Sequence, residues 1–225
     1  MTPPRAGYAV KRRARAQFDS WSRTYDRSIV QHLLFQPAYR MFMQELYDWR
    51  GRDARNFDLL DIGSGTGSWL AMVAGSGMAA GRLVGLDYSS SMCAVAEAKA
   101  GDIDPPPRFV NGDSEHLPFQ DQSFDVVTCS HSLHHYPHQA AAVREMKRVL
   151  RPGGRLLIID GFRDNIIGWV LFDLIITRAE STPDAKVYHA PWSVMRQYFI
   201  DAGFVEIRQR KTGIWAPIFL TIGIA

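Results

Sequence analysis

Short runs rich in leucine and β-branched residues alternate along this chain with stretches of helical composition. Five runs read as strands, at residues 58–62, 82–87, 107–111, 124–130 and 155–160, and residues 69–75, 91–101 and 139–150 between them read as helices. Such an alternation of strands and crossover helices predicts an α/β fold with a doubly wound, mostly parallel sheet of the Rossmann-like kind, covered on both faces. After the fifth run the rhythm changes. A mixed segment at 161–190 leads to a helix at 191–202 ended by Gly203, then to two strand-like runs, 205–210 and 217–224, joined through Thr212-Gly213 as an antiparallel hairpin. Ahead of the first strand, residues 9–21 and 37–49 read as helices capping the sheet edge, with no linker, repeat or low-complexity tract.

Composition narrows the picture. A chain of 225 residues with 46% hydrophobic content buries one substantial core and hardly two, so residues 1–225 are expected to form a single domain. Its 26 Lys and Arg nearly balance 23 Asp and Glu, a net charge of +3, which lacks the positive field that nucleic-acid binding needs. Cys93 and Cys129 fall in a predicted helix and a predicted buried strand and read as two reduced apolar side chains, which implies a cytoplasmic setting. Lys11, Arg12, Arg13 and Arg15 precede no long apolar run, and the apolar stretch at 166–176 is broken by Asp173 and too short to span a bilayer. Neither a signal peptide nor a membrane span is expected.

Chemistry enters with Leu59-Leu60-Asp61-Ile62-Gly63-Ser64-Gly65-Thr66-Gly67, where three glycines at alternate positions follow a buried strand and precede a helix. Glycine suits a place where backbone must approach a ligand closely. Twenty residues beyond Gly67 the second strand ends in Asp87, placed to accept hydrogen bonds from both hydroxyls of a ribose. The third strand ends in Asn111-Gly112-Asp113-Ser114; Asp113 either accepts from an adenine amino group or caps a turn. Asp61 lies within the first strand, where an unpaired carboxylate is costly to bury, so it is expected to face an ammonium group directly or through water. Ammonium, ribose and adenine without a pyrophosphate describe S-adenosylmethionine, with S-adenosylhomocysteine as its product. A nicotinamide-dependent oxidoreductase would need GxGxxG spacing, whereas Ser68 and Trp69 follow the glycines here.

LLDIGSGTG, VGLDYS, NGDSEHLPFQDQSFDVV and LRPGGRLLIID occur in the order and at about the spacing of the class I S-adenosylmethionine-dependent methyltransferases, over roughly residues 58–160, and AGFVEI and the terminal hairpin extend the resemblance to the end. The resemblance implies a seven-stranded sheet of order 3-2-1-4-5-7-6 with strand 7 antiparallel. It also implies that Asp61, Gly63, Ser64 and Gly65 hold the methionine end and Asp87 the ribose. Tyr88 or Met92 would then pack on the adenine, Asp113 and Ser114 read its edge, and Ser130 lie beside the methionine portion. Phe18-Asp19-Ser20-Trp21-Ser22-Arg23-Thr24-Tyr25-Asp26 is similar to the segment that folds over the cofactor in the subgroup containing quinone-biosynthesis C-methyltransferases, so Tyr25 either reaches the cofactor or packs in the cap. The domain is thus expected to comprise a cap over 1–50, a cofactor-binding core over 51–160, a substrate lid over 161–190 and a closing helix and hairpin over 191–225.

Methyl transfer is an in-line displacement in which the cofactor supplies most of the driving force, so the protein aligns the nucleophile, sheds water and removes a proton when one is present. Candidates follow the fourth strand in Ser130-His131-Ser132-Leu133-His134-His135-Tyr136-Pro137-His138, at the strand ends where such folds bind ligands. If a helical turn begins there, His131 and His134 share a face at i, i+3 and are the candidate general bases, while His135 bonds locally or touches the cofactor. A metal held by His131, His134 and His135 is not expected, because no carboxylate or cysteine motif completes the set. The sequence departs from the quinone methyltransferases, which carry an Arg-Asn pair in place of His134-His135, and it lacks their signature after the fifth strand; this argues against a quinol substrate.

The apolar helix expected at 165–176 is either a lid or core, and as a lid it points to a small lipophilic or aromatic substrate lined by Trp169, Phe172, Tyr188 and His189. Two other activities stay open. The basic patch at Lys11 to Arg15 beside an apolar lid suits peripheral contact with anionic lipid and hence a phospholipid N-methyltransferase. A protein that keeps the cofactor pocket without catalysis is the other. A homodimer is compatible with a lid buried against a second subunit.

Overall fold

Leu59, Leu60, Ile62, Val126, Val127, Leu156, Leu157, Ile158 and Ile159 lose all or nearly all contact with solvent. Neighbouring positions in one strand are buried together, which only a sheet covered on both faces achieves. The computed structural model describes residues 29–50, 56–78, 80–161, 188–211 and 218–225. Seven strands, β1 (Phe57–Ile62), β2 (Ala80–Asp87), β3 (Arg108–Asn111), β4 (Phe124–Ser130), β5 (Leu150–Gly161), β6 (Val205–Lys211) and β7 (Ile218–Ile224), form one sheet of order β3-β2-β1-β4-β5-β7-β6. β1 to β5 pair in parallel, and β7 runs antiparallel to both β5 and β6. This is the order expected from the resemblance. Thr212-Gly213 lies outside the described residues.

Helices α1 (Ile29–Arg50), α2 (Ser68–Gly75), α3 (Ser90–Ala100), α4 (Gln139–Val149) and α5 (Trp192–Asp201) cover the sheet. Ala38, Phe42 and Leu46 of α1 and Trp69, Leu70 and Val73 of α2 build the core on one face. Ala142, Val143, Met146 and Val149 of α4 with Met195 and Phe199 of α5 build it on the other. The helix after β1 and the helix after β4 therefore leave on opposite sides. Between the ends of these adjacent strands the backbone parts, and a crevice opens at the point where the strand order reverses.

Two boundaries differ from the sequence expectation. The helix expected at 37–49 begins at Ile29 and carries Pro37 inside it; proline removes one donor from the ladder, and the tertiary contacts of Ala38 and Phe42 outweigh that local loss. The fifth strand begins at Leu150 rather than 155, because Phe124 pairs with Leu150, and the register then shifts so that Val126 pairs with Arg155. Pro152 and Gly153 sit exposed within that irregularity.

At the end of the sheet away from the crevice, Asp58 accepts hydrogen bonds from Arg82 and Arg151, and Arg151 also reaches Asp125. Burial raises the Asp58 carboxyl, but the two guanidinium groups overcome this and hold it at about 2. A carboxylate whose folded value lies below its unfolded value contributes stability above the unfolded value and loses it as pH falls. Asp58→Asn should cost about 1–2 kcal/mol at neutral pH in urea unfolding, and the difference from the natural chain should vanish as pH falls from about 4 to 2.

Candidate functional site

The crevice is framed first by the glycine loop. Gly63, Gly65 and Gly67 have φ of 70°, 51° and 73°, in the left-handed region that a side chain disfavours. The N–H groups of Gly63 and Ser64 both donate to the Leu86 carbonyl, which fastens the loop to β2. The three glycines serve different ends. A Cβ at Gly63 would stand 1.9 Å from the Ser132 hydroxyl, and one at Gly67 2.6 Å from the Phe109 ring, so both make room for packing within the protein. At Gly65 no heavy atom of the described residues lies within 4 Å of that position. Among the described residues, Gly65 is thus the glycine of the three that faces open space.

Asp87 fixes the opposite rim. One carboxylate oxygen accepts from Gly65 N–H at 2.9 Å and the other from Ser89 N–H at 2.8 Å. The Ser89 hydroxyl in turn accepts from Met92 N–H and caps α3. A single side chain thus joins the glycine loop to the start of α3 with its carboxylate on the cavity. Asp113 also lines the cavity and accepts from Glu115 N–H at 3.0 Å, so it both closes a turn and faces the ligand space.

Asp61 is 3% exposed and accepts from the Thr128 hydroxyl at 2.8 Å, while that hydroxyl accepts from the Trp69 indole N–H at 3.1 Å. Burial, reinforced by the negative charge of Asp87, outweighs the Thr128 hydrogen bond and pushes the Asp61 carboxyl up to about 7. A cation arriving in the cavity would restore its charge.

The segment after β4 supplies the remaining wall. His131 has φ 49°, its N–H donates to the Ile159 carbonyl, and its ring lies 4.7 Å from that of Phe35. A 3-10 turn, Leu133–His135, follows. His135 lines the cavity, and burial together with the neighbouring His134 holds its imidazole well below the ordinary value, hence neutral. The Tyr136 and Ser132 hydroxyls are hydrogen-bonded at 2.8 Å and rest over Gly63.

Of the residues expected from sequence, Asp61, Gly63, Ser64, Gly65, Asp87, Tyr88, Met92, Asp113, Ser114, Ser130, His131 and His135 line this one cavity. His134 does not share a face with His131. The left-handed backbone at His131 breaks the register, the turn starts only at Leu133, and the His134 ring turns away to place Nδ1 2.6 Å from Asp160. His189 stacks on His134 at 4.2 Å and is buried, whereas Tyr188 is half exposed; neither lines the cavity. Tyr25, Trp169 and Phe172 lie outside the described residues.

Sequence reasoning missed Phe35 and Tyr39, which α1 brings to the cavity. They stand four apart, one helical turn, but on either side of Pro37, where the pattern suggested a boundary. It also missed Ser132 and Tyr136, whose part depends on a contact with a loop some seventy residues earlier.

Gly63→Ala should cost about 1–3 kcal/mol in thermal or urea unfolding, because strain at positive φ adds to a clash with Ser132. Gly65→Ala carries only the backbone strain of about 1–2 kcal/mol and should instead impair ligand binding out of proportion to its stability loss.

Residues 60–158 match a family described as a methyltransferase domain. A demethylmenaquinone methyltransferase of Listeria welshimeri is 34% identical over 155 residues, covering 68% of this chain and 64% of that protein. A ubiquinone/menaquinone biosynthesis C-methyltransferase of Bartonella quintana is 33% identical over 146 residues, covering 64% and 55%. The chain therefore spans less than two thirds of the length of these relatives. Among solved structures, the putative methyltransferase in complex with the Haloferax volcanii Trm112 activator superposes with a TM-score of 0.72 at 22% identity, over 92% of this chain and 97% of that one, a likeness of fold. The glycine loop, the strand-end carboxylates and the sheet order agree with this match: residues 60–158 are similar to a methyltransferase domain.

Proposed function

We propose that the protein transfers a methyl group from S-adenosylmethionine to a small lipophilic, aromatic acceptor. One observation carries this reading. One cavity is lined both by three carboxylates, Asp61, Asp87 and Asp113, and by the aromatic and imidazole side chains of Phe35, Tyr39, His131 and Tyr136. The carboxylates suit an ammonium, a ribose and an adenine, and the space left at Gly65 by the described residues gives the backbone close access to them. When bound, the cofactor supplies an electrophilic methyl group on a sulfonium.

The residues divide the remaining work. Asp61 and the glycine loop hold the methionine end, Asp87 the ribose hydroxyls, and Asp113 with Ser114 the adenine edge, while Tyr88 and Met92 pack on the ring. Phe35 and Tyr39 present flat apolar surface to the acceptor and exclude water. His131, on the cavity beside Phe35, accepts the proton that the nucleophile loses. His134 has no direct part, since it is turned away from the cavity. The relatives' names make a demethylquinol ring a candidate acceptor, against the expectation drawn from His134-His135.

The test incubates the purified chain with methyl-labelled S-adenosylmethionine and a panel of demethylquinols, catechols and phenols. Label in the organic phase is expected. Label confined to polar products would overturn the lipophilic acceptor, and tight S-adenosylhomocysteine binding without any transfer would leave a non-catalytic binding protein.

Asp87→Ala should weaken S-adenosylhomocysteine binding by about 1–3 kcal/mol in calorimetry, the loss expected for charged hydrogen bonds. Asp61 yields a pH signature. Its folded value lies above the unfolded 3.8, so without ligand it lowers stability as pH rises from about 4 to 7. A ligand ammonium favours the ionised form, so binding should release a proton and weaken as pH falls below about 7. In Asp61→Asn that limb should be flat; an unchanged pH dependence would remove Asp61 from the ammonium site.

A further inference from the structure

Behind the cavity wall, three side chains that the proposed reaction leaves unused converge. His134 comes from the turn after β4, Asp160 from the end of β5 and His189 from the residues leading into α5. Two imidazole nitrogens and a carboxylate oxygen lie within 4.8 Å of one another. Asp160 Oδ1 stands 2.6 Å from His134 Nδ1 and 3.6 Å from His189 Nδ1, and the side chains of Asp160, His189 and His134 are 2%, 8% and 12% exposed. Such burial sets the group apart from a solvated surface cluster.

We propose that His134, Asp160 and His189 form a binding site for a late first-row divalent cation of the zinc type, separate from the methyl-transfer cavity. Imidazole nitrogen with one carboxylate suits zinc, whereas magnesium and calcium seek sets of oxygen ligands. At bond lengths near 2.0–2.1 Å, ligand atoms of a tetrahedral ion lie about 3.3–3.4 Å apart. The His189 and Asp160 atoms are already close to that spacing. His134 is nearer because a hydrogen bond occupies the gap; the ion replaces that proton, and the ring withdraws by less than about 1 Å.

The carboxylate is held ready for this role. Gly161 N–H donates to Oδ1 at 2.7 Å and His134 N–H to Oδ2 at 3.0 Å, contacts that orient a ligand oxygen. None of the three residues lines the cavity, so the ion is a structural tie between the turn after β4, the tip of β5 and the chain entering α5. One hydrogen bond already joins two of these parts, from Tyr188 N–H to the His134 carbonyl, and the Gln139 amide at the start of α4 donates to the Tyr188 carbonyl. This set differs from the one weighed on sequence grounds, because His131 and His135 face the cavity instead.

The test uses the full chain, stripped with a chelator and titrated with cobalt(II) alone, then with zinc(II). One cobalt ion per chain, bound with release of protons and with visible d–d absorption, then displaced by zinc, is expected. His189→Ala and Asp160→Asn should each weaken binding at least about tenfold, while His116→Ala, at an exposed histidine outside the cluster, should leave it unchanged. Absence of stoichiometric binding, or equal binding by the variants, would overturn the site and leave a hydrogen-bonded cluster only. Should Asp160→Asn fail to fold, His189→Ala and the zinc-induced rise in melting temperature of the natural chain decide, no rise being the overturning result. S-adenosylhomocysteine affinity measured in parallel separates failure of this site from failure of the cavity reading.

Discussion

Everything at the site follows from the parting of two hydrogen-bonded strands. β1 and β4 pair through their middles, yet α2 and α4 pack on opposite faces of the sheet. The polypeptide must therefore turn one way after Ile62 and the other way after Ser130. The crevice between these turns brings backbone N–H groups, strand-end carboxylates and loop side chains from distant parts of the chain to the same space. Asp87 then gives the opening its shape, because its two oxygens hold the glycine loop and the start of α3 at a fixed separation.

Much of this was legible in the sequence because it is local. The glycine loop, the carboxylates ending the second and third strands and the helical and extended periods each lie within a few residues, and the strand order follows from the resemblance they carry. What escaped depends on contacts across the chain. Nothing around Pro37 announces that Phe35 and Tyr39 reach the cavity from one continuous helix. Nothing in LHH tells which imidazole turns inward, since that is settled by Asp160 at the tip of β5 and by the left-handed backbone at His131. The extended start of β5 was hidden because RPGG reads as a turn, although the register shift against β4 carries it as an irregular strand.

The glycines show how a motif divides its labour. Three similar residues in one loop answer to three neighbours: a hydroxyl at Gly63, an aromatic ring at Gly67 and open space at Gly65. A pattern that reads as one ligand-binding signature is thus partly a record of how the loop fits against Ser132 and Phe109. The two ends of the sheet are likewise polarised. Ion pairs among Asp58, Asp125, Arg82 and Arg151 close one end, and the carboxylates of Asp61, Asp87 and Asp113 gather at the other, where burial pushes the Asp61 carboxyl up to about 7.

The chain from Trp69 through Thr128 to Asp61 also has an electrical meaning. One indole among the six in the protein donates its N–H to a hydroxyl that donates to the Asp61 carboxylate on the cavity. When that carboxylate gains or loses charge, the field along the indole changes while the ring itself stays packed at 1% exposure. Trp69 is thus an indole electrically coupled, through one hydroxyl, to the ionisation of Asp61.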